Sequence, residues 1–292
     1  MPLMPIAKVL PGYKPQAEDT SIDADVLMFQ LLRQFSSTQK TQRFQSFNQS
    51  VRRMALLRIK KQFPNASTAE HIQEYVKQKL LSLTGAIAVD KLPKLPEKLI
   101  ILDPISLAEK ISKILLILDI HYMVDGSVAS SLLGEERSTQ DLDLVIDIQP
   151  FNLSPFVAAM SEEFYIDAGA VSEAIDRKSS FNAIHLLSLE KVDFFVLPYD
   201  DFSLSKFSRR QLYTIADEPK NEIYIYSPED IVLQKLSWYK MGRMQSQKQW
   251  RDVLGVLKLQ GSQLDFAYLK QWAEFLKLTS LLTQALRESG LE

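Results

Sequence analysis

The stretch from residue 121 to residue 147 constrains the fold of this chain more than any other. It opens with a short apolar segment, HYMV, which predicts a β-strand. Gly126-Ser127 then marks a turn into a helix over VASSLL. After a polar loop, DLDLVIDI alternates polar and apolar residues, which predicts a second strand. A strand, a glycine-serine turn, a helix and another strand therefore follow one another directly.

The second strand of this stretch carries a pair of carboxylates on one face. Its alternation puts Asp141 and Asp143 on the same side, with Cα atoms about 6.6 Å apart at the rise of a strand. Two such carboxylates suit a pair of divalent ions about 3.5–4 Å apart, the arrangement used for displacement at phosphorus. Mg²⁺ prefers oxygen ligands of this kind. At Gly126-Ser127, a glycine lets a phosphate approach the unpaired N–H groups of a helix start.

Neither motif is specific by itself, because D-x-D is commonly two solvated charges and G-S is an ordinary turn. Their order and the 13 residues between Ser127 and Asp141 carry the prediction. In this order the stretch resembles the nucleotidyltransferase superfamily, the DNA polymerase β-like fold with G-S or G-G followed by D-x-D or D-x-E. Arg137 and Thr139 complete the R-x-T-x-D-x-D spacing of its small bacterial members. Asp125 departs from that family, and a carboxylate there would repel a triphosphate.

A third carboxylate lies in the apolar segment KVDFFVL. Asp193 stands between Val192 and Phe194, where a charge in a buried strand needs a cation or a metal ion. The other interpretation is that Asp193 faces solvent on the polar side of the strand, with Lys191 and Phe195. The resemblance implies that a carboxylate from a neighbouring strand completes the metal site, and Asp193 matches that position.

Two further residues come from the helical C-terminal part. Ser227-Pro228 begins a helix on which Lys235 lies within an apolar stripe, where a lysine usually extends to water. The segments around Lys235 and Asp252 resemble the abortive-infection (AbiEii-like) branch of the superfamily. In that branch a lysine on the first C-terminal helix and an aspartate on the second complete the site. Gln249 and Trp250 depart from its R-x-K-D-like segment.

The resemblance implies transfer of a nucleoside monophosphate from a nucleoside triphosphate to a hydroxyl acceptor, either an RNA end such as that of tRNA or a protein side chain. It implies two Mg²⁺ ions, a catalytic Lys235, and often a toxin paired with a cognate antitoxin. The implied metal ligands, which are also catalytic, are Asp141, Asp143 and Asp193. The implied nucleotide-binding residues are Gly126, Ser127, Arg137, Thr139, Lys235 and Asp252. The alternative is a non-catalytic nucleotide- or partner-binding protein that retains the fold, which Asp125 would favour.

A basic block precedes these motifs. Residues 26–69 contain no Asp or Glu but eight basic residues, so the remainder of the chain carries a formal charge of about -10. The block is typical of an RNA contact, of a solvated helix face, or of a face that docks on the acidic remainder. The basic residues are Arg33, Lys40, Arg43, Arg52, Arg53, Arg58, Lys60 and Lys61.

Composition narrows the class of protein further. The absence of cysteine excludes disulfides and thiolate sites and favours a reducing cytoplasm, while the longest apolar run, residues 114–118, is too short for a membrane span.

We expect an α+β nucleotidyltransferase fold with a small mixed β-sheet, preceded by a helical module and followed by a C-terminal helical segment. The expected parts are a flexible arm (1–20), a basic helical module (21–84), a linker (85–104), a catalytic domain (105–220) and a C-terminal helical domain (221–292).

Overall fold

The computed structural model describes residues 7–82, 100, 102–139 and 141–292. The α-helices are α1 (Ile22–Leu32), α2 (Ser37–Gln62), α3 (Thr68–Ser82), α4 (Pro104–Ile117), α5 (Gly126–Leu133), α6 (Leu153–Met160), α7 (Ala168–Arg177), α8 (Asp201–Ser208), α9 (Pro228–Met241), α10 (Gln247–Gln260), α11 (Phe266–Phe275) and α12 (Thr279–Glu288). The β-strands are β1 (His121–Val124), β2 (Leu142–Asp147), β3 (Phe164–Ile166), β4 (Ser180–His185), β5 (Lys191–Val196), β6 (Gln211–Asp217) and β7 (Lys220–Ile225).

The chain divides into two compact units, and the boundary falls inside α2. Unit 1 comprises Met1–Gln42, Asp125–Arg137 and Tyr199–Glu292, and unit 2 comprises Arg43–Val124 and Ser138–Pro198. The predicted domain boundaries do not coincide with these units and stay a prediction. Most of the predicted linker, residues 85–99 and 101, lies outside the described residues, as do residues 1–6 of the predicted arm.

The sheet of unit 2 contains both parallel and antiparallel pairs. Its described strands follow the order β3-β4-β5-β2-β1. Strands β2 and β5 are parallel, whereas the other neighbouring pairs are antiparallel. On β2, Leu142, Leu144 and Ile146 are at most 1% exposed, which confirms the predicted apolar face. A mixed sheet accompanied by helices confirms the predicted α+β class.

Helix α4 of unit 2 begins at a well-formed cap. The carboxylate of Asp103 accepts hydrogen bonds from the N–H groups of Ile105 and Ser106, and Pro104 occupies the first helical position. Ile111 and Leu115 of the helix are fully buried. Burial of this apolar stripe fixes α4, because a helix of this length gains most of its stability from packing.

Helix α2 is tied into unit 2 by polar groups that the sequence did not reveal. The guanidinium of Arg52 donates two hydrogen bonds to Glu190, at 2.9 and 3.0 Å, and both side chains are less than 10% exposed. Asn48 is fully buried and accepts the backbone N–H of Thr139 at 3.0 Å. Arg52 is therefore a buried structural residue and not part of an exposed basic face, while RNA binding by the rest of the block stays a prediction.

In unit 1 the segment that contains Tyr13 and Lys14 packs on the C-terminal helices. The N–H of Lys14 donates to the carbonyl of Glu288 at 2.9 Å, and Tyr13 Oη donates to Asp25. Asp25 also forms an ion pair at 2.8 Å with Lys258, and neither side chain is more than 1% exposed. Tyr13 and Lys14 are thus held by hydrogen bonds to Asp25 and Glu288, and the extent of the predicted arm, residues 1–20, stays a prediction.

Unit 1 also contains the antiparallel hairpin of β6 and β7, which the sequence analysis missed. Two short runs rich in β-branched and aromatic residues were the available signal, with Pro219 in the turn between them. They are Leu212, Tyr213 and Ile215 on β6, and Ile223, Tyr224 and Ile225 on β7.

Candidate functional site

A row of polar side chains crosses three neighbouring strands of unit 2. Asp143 of β2 and Asp193 of β5 are directly paired in the parallel register. Asn182 of β4 is paired with Asp193 in turn. Residues directly opposite each other in a sheet point to the same side, so the two carboxylates and the amide are neighbours. Sequence reasoning missed Asn182, because the apolar segment AIHLLSL (residues 183–189) predicts a strand that begins one residue after it.

Asp193 already has a cationic partner on its own strand. Lys191 Nζ lies 2.7 Å from Asp193 Oδ2, and the two side chains are 20% and 23% exposed. Asp193 therefore lies on the partly solvated side of β5 with Lys191 and Phe195, as one interpretation of the sequence expected. A metal ion at this carboxylate would have to share it with the lysine.

The donor chemistry of this row suits a hard divalent ion. Carboxylate and amide oxygens are the ligands that Mg²⁺ and Ca²⁺ take from proteins. Within the described ranges, however, no group of three or more His, Cys, Asp or Glu side chains is placed to hold a metal ion. Asp143 and Asp193 thus fit one end of a divalent site, and the site of three carboxylates with Asp141 stays a prediction.

Thr139 holds the loop that leads into β2. It is 7% exposed, its N–H donates to Asn48 Oδ1, and its hydroxyl donates to the carbonyl of Asp141 at 3.2 Å. In this arrangement Thr139 fixes the backbone beside Asp141. Its predicted contact with a nucleotide stays a prediction.

In unit 1 a cluster of charged groups surrounds Asp252 on α10. Arg137 donates from Nε and Nη2 to the two oxygens of Asp252, at 2.7 and 2.8 Å. Lys235 Nζ on α9 lies 2.8 Å from Asp252 Oδ2. Arg137 Nη2 also donates to Ser127 Oγ on α5 at 2.7 Å. The structure thus brings together four of the residues predicted to bind nucleotide.

The burial of this cluster excludes one of the two interpretations of Lys235. Lys235 is 1% exposed and its Nζ lies 5.2 Å from the centre of the Trp238 ring, so the interpretation that this lysine extends to water is wrong. Burial alone would raise the pKa of Asp252, but hydrogen bonds from Arg137 and the charge of Lys235 lower it below its ordinary value. Asp252 is therefore held as a carboxylate between two cations.

Asp125 occupies the N-terminus of α5. Gly126 has a φ of 64°, a left-handed conformation that favours glycine, and its N–H donates to the Asp125 carboxylate. Asp125 is 5% exposed. Burial raises the pKa of Asp125, against the opposing influence of Lys206, the Gly126 N–H and Lys235. The positive end of this helix thus already carries an acidic group of the chain itself.

Lys206 on α8 is a buried cation near that carboxylate. It is 6% exposed, its Nζ donates to Gln234, and it lies 4.7 Å from the centre of the Phe202 ring. Burial lowers the pKa of Lys206, while the charge of Asp125 and that of Asp230 raise it. Sequence reasoning missed Lys206, because a single lysine in the polar segment SLSKFS carries no motif.

The predicted site residues thus fall into two groups, one in each unit. Those in unit 2 are Thr139, Asp141, Asp143 and Asp193, and those in unit 1 are Gly126, Ser127, Arg137, Lys235 and Asp252.

Comparison with known proteins gives a limited result. No protein-family model matches the chain, and no curated protein matches it. Among solved structures, the chain is similar to an antigenic nucleotidyltransferase-like protein from Paracoccidioides brasiliensis, with 18% sequence identity and a TM-score of 0.42. That likeness covers 63% of this chain and 92% of the other. In the described ranges, no helix combines the length and apolar character needed to cross a lipid bilayer.

Proposed function

We propose that this chain is a magnesium-dependent nucleotidyltransferase that moves a nucleoside monophosphate from a nucleoside triphosphate to a hydroxyl acceptor. The observation that supports it best is the register of β2 and β5, which sets Asp143 and Asp193 side by side. The order of β1, Gly126-Ser127, α5 and β2 agrees with the order that carries the resemblance.

In this proposal the carboxylates of unit 2 hold Mg²⁺, with Asp143 and Asp193 as ligands and Asp141 as the third. Bound Mg²⁺ supplies a Lewis acid that stabilises negative charge on phosphate oxygens. The acceptor oxygen forms a bond to the α-phosphorus, and the bond from that phosphorus to the bridging oxygen breaks, so that pyrophosphate leaves. Asp193 takes the proton of the acceptor hydroxyl as a general base.

The cations of unit 1 are proposed to bind the triphosphate. Lys235 and Arg137 would each donate charge-assisted hydrogen bonds to phosphate oxygens, which are stronger than neutral ones. Asp252 contacts both cations and would act as a positioning residue that fixes where they point. Gly126 and Ser127 would contact the phosphates from the start of α5, with Thr139 as a further nucleotide contact.

A finer proposal concerns the biological class. The segments around Lys235 and Asp252 resemble the AbiEii-like branch, and the buried contact between these two residues is consistent with a shared role. We therefore propose that the chain acts as the toxin of a toxin-antitoxin pair, with an RNA end or a protein side chain as acceptor.

A second function is favoured by a different observation. Asp125 is buried at the start of α5, and Asp252 already engages both Arg137 and Lys235. These carboxylates satisfy groups that a triphosphate would need. The second proposal is therefore a non-catalytic nucleotide- or partner-binding protein that retains the fold.

Labelling with nucleotides tests the two proposals together. The protein is incubated with Mg²⁺, each α-labelled nucleoside triphosphate in turn, and total cellular RNA or protein. Asp143→Asn serves as the inactive variant, and Asp147→Asn, on the same face of β2, serves as the matched control. Label that enters one fraction with the parent and Asp147→Asn, but not with Asp143→Asn, supports transfer. Nucleotide binding in calorimetry without transfer supports the second proposal. If neither transfer nor nucleotide binding is observed, both proposals are without support.

A further inference from the structure

A cavity of about 310 Å³ lies in unit 1 at the C-terminal end of α10. Arg33, which follows α1, and Lys40, in the first turns of α2, contribute its charged groups. Polar residues 260–263 form another part of the wall, and Leu259 and Leu291 add apolar surface. Among the described residues that line it there is no acidic side chain. The cavity therefore has a positive lining although the whole chain carries a formal net charge of -2.

Backbone groups hold Arg33 in place at this cavity. Arg33 Nε donates to the carbonyl of Leu259 at 3.1 Å, and Nη2 donates to the carbonyl of Lys258. Among the described residues, these bonds leave Nη1 for another acceptor. Gly261 has a φ of 58°, and a Cβ at this position would lie 3.5 Å from Arg33 Nη2. The turn after α10 thus passes close to a guanidinium of fixed orientation.

Lys40, unlike Arg33, is not held by hydrogen bonds to backbone carbonyls in the described part of the chain. It is half-buried, and burial lowers the pKa of its ammonium group below the ordinary value. Within the described ranges no carboxylate lies in ion-pair contact with Lys40, and no hydrogen bond from its side chain is present. A partly desolvated ammonium without a counter-charge is unfavourable, and a bound anion would relieve that cost.

We propose that this cavity, here called the α10 pocket, binds a phosphate group carried by a small molecule. Lys40 and Arg33 are its cationic ligands, and Ser262 and Gln263 supply neutral hydrogen-bond donors. A planar guanidinium beside an ammonium matches the several oxygens of a phosphate. The volume is at the lower end of the range for small-molecule sites, which fits a molecule the size of pyrophosphate or a nucleoside monophosphate. This site is independent of the proposed transferase activity.

Nuclear magnetic resonance locates the binding. Inorganic pyrophosphate is titrated into the ¹⁵N-labelled full chain, and the amide signals of Gly261, Ser262 and Gln263 are followed. We expect these signals to move saturably. Lys40→Gln should weaken the apparent affinity at these signals by about tenfold, the scale of one charge-assisted hydrogen bond. Lys270→Gln, at an exposed lysine on α11, removes the same charge and should leave the affinity unchanged.

A further variant and two further ligands separate a phosphate site from a site for any small anion. Lys40→Arg keeps the charge and should retain binding, and an unchanged unfolding temperature confirms that each variant is folded. Adenosine monophosphate should bind at the same signals. The proposal is overturned if these signals do not move with pyrophosphate, or if they move equally in Lys40→Gln. Sulfate binding as tightly as pyrophosphate would likewise overturn it in favour of a site for any small anion. Because the readout is local, its failure leaves the transferase proposal untouched.

Discussion

Lys235 Nζ lies 2.8 Å from Asp252 Oδ2, and neither side chain is more than 3% exposed. Arg137 binds both oxygens of the same carboxylate. Asp252 thus carries one negative charge between two cations in a buried place. Removing a single member of such a group leaves uncompensated charge, so the effect depends on which member is removed.

The first prediction concerns this asymmetry. Asp252→Asn should lower the free energy of unfolding by about 3–5 kcal/mol, because it leaves the buried Lys235 and the partly buried Arg137 without their carboxylate. Lys235→Met should cost less, since Asp252 keeps Arg137 as a partner. Urea unfolding at pH 7 measures both. Equal losses, or a larger loss for Lys235→Met, would contradict the assignment of Asp252 as the centre of the cluster.

The first prediction also includes a pH dependence. The folded-state pKa of Asp252 is lowered, so its contribution to stability is present above the unfolded pKa of about 3.9 and is lost as the pH falls through the folded value. The difference in stability between the parent and Asp252→Asn should therefore shrink below about pH 4. A difference that stays constant from pH 7 to pH 3 would be inconsistent with the lowered pKa.

The second prediction concerns the carboxylates of the sheet. Asp143→Asn and Asp193→Asn should each abolish Mg²⁺-dependent transfer without altering the fold, because both side chains are partly solvated and leave no core cavity. Asp147→Asn is the matched control on β2. Label transfer and circular dichroism measure the two effects. Transfer at the parental rate by the Asp143, Asp193 double variant would exclude a metal role.

The third prediction concerns Asp125. Asp125→Asn keeps an oxygen to accept the Gly126 N–H but removes the ionisable carboxyl group from the start of α5. If phosphates bind there and the carboxyl group is ionised, their affinity should rise by about 2–3 kcal/mol, the scale of like charges about 6–8 Å apart at an effective dielectric constant near 20. Calorimetry with a nucleoside triphosphate measures the change. A weaker affinity in the variant would show that Asp125 assists binding.

The fourth prediction separates Arg52 from its neighbour Arg53. Arg52→Gln should lower the free energy of unfolding by about 3–5 kcal/mol, because Glu190 would stay buried without its partner. Arg53 is exposed, so Arg53→Gln should change stability by no more than about 0.5 kcal/mol. Thermal unfolding of the two variants provides the comparison. Similar unfolding temperatures would mean that the Arg52 ion pair contributes little.

The fifth prediction tests RNA binding by the exposed part of the basic block. If this part of α2 contacts a phosphate backbone, affinity should fall with salt at a log–log slope of about -0.7 to -0.9 per phosphate contacted. Replacing Arg53, Lys60 and Lys61 by Gln should flatten that slope, while Gln retains helix propensity. The parent showing no RNA binding, or the variant showing the same slope, would assign this face to solvent or to a protein contact.

The local order of elements could be predicted because its causes are local. The strand over HYMV, the turn at Gly126, the helix after it and the alternation on β2 each follow from the spacing of apolar residues within a few positions. For the same reason, the spacing of Ser67 and Glu70 predicts a capping box at the start of α3, and the side chain of each residue accepts the backbone N–H of the other.

The sequence by itself determined the mixed α/β character of the chain, the face of β2 that carries Asp143, and the helices that carry Lys235 and Asp252. Only the tertiary structure decided which groups meet. Three such contacts join residues that are far apart in the sequence. They are the pairing of Asn182 with Asp193, the buried contact of Lys235 with Asp252, and the ion pair of Arg52 with Glu190. Such contacts depend on strand register and on which helix faces are buried, and no spacing along one segment encodes them.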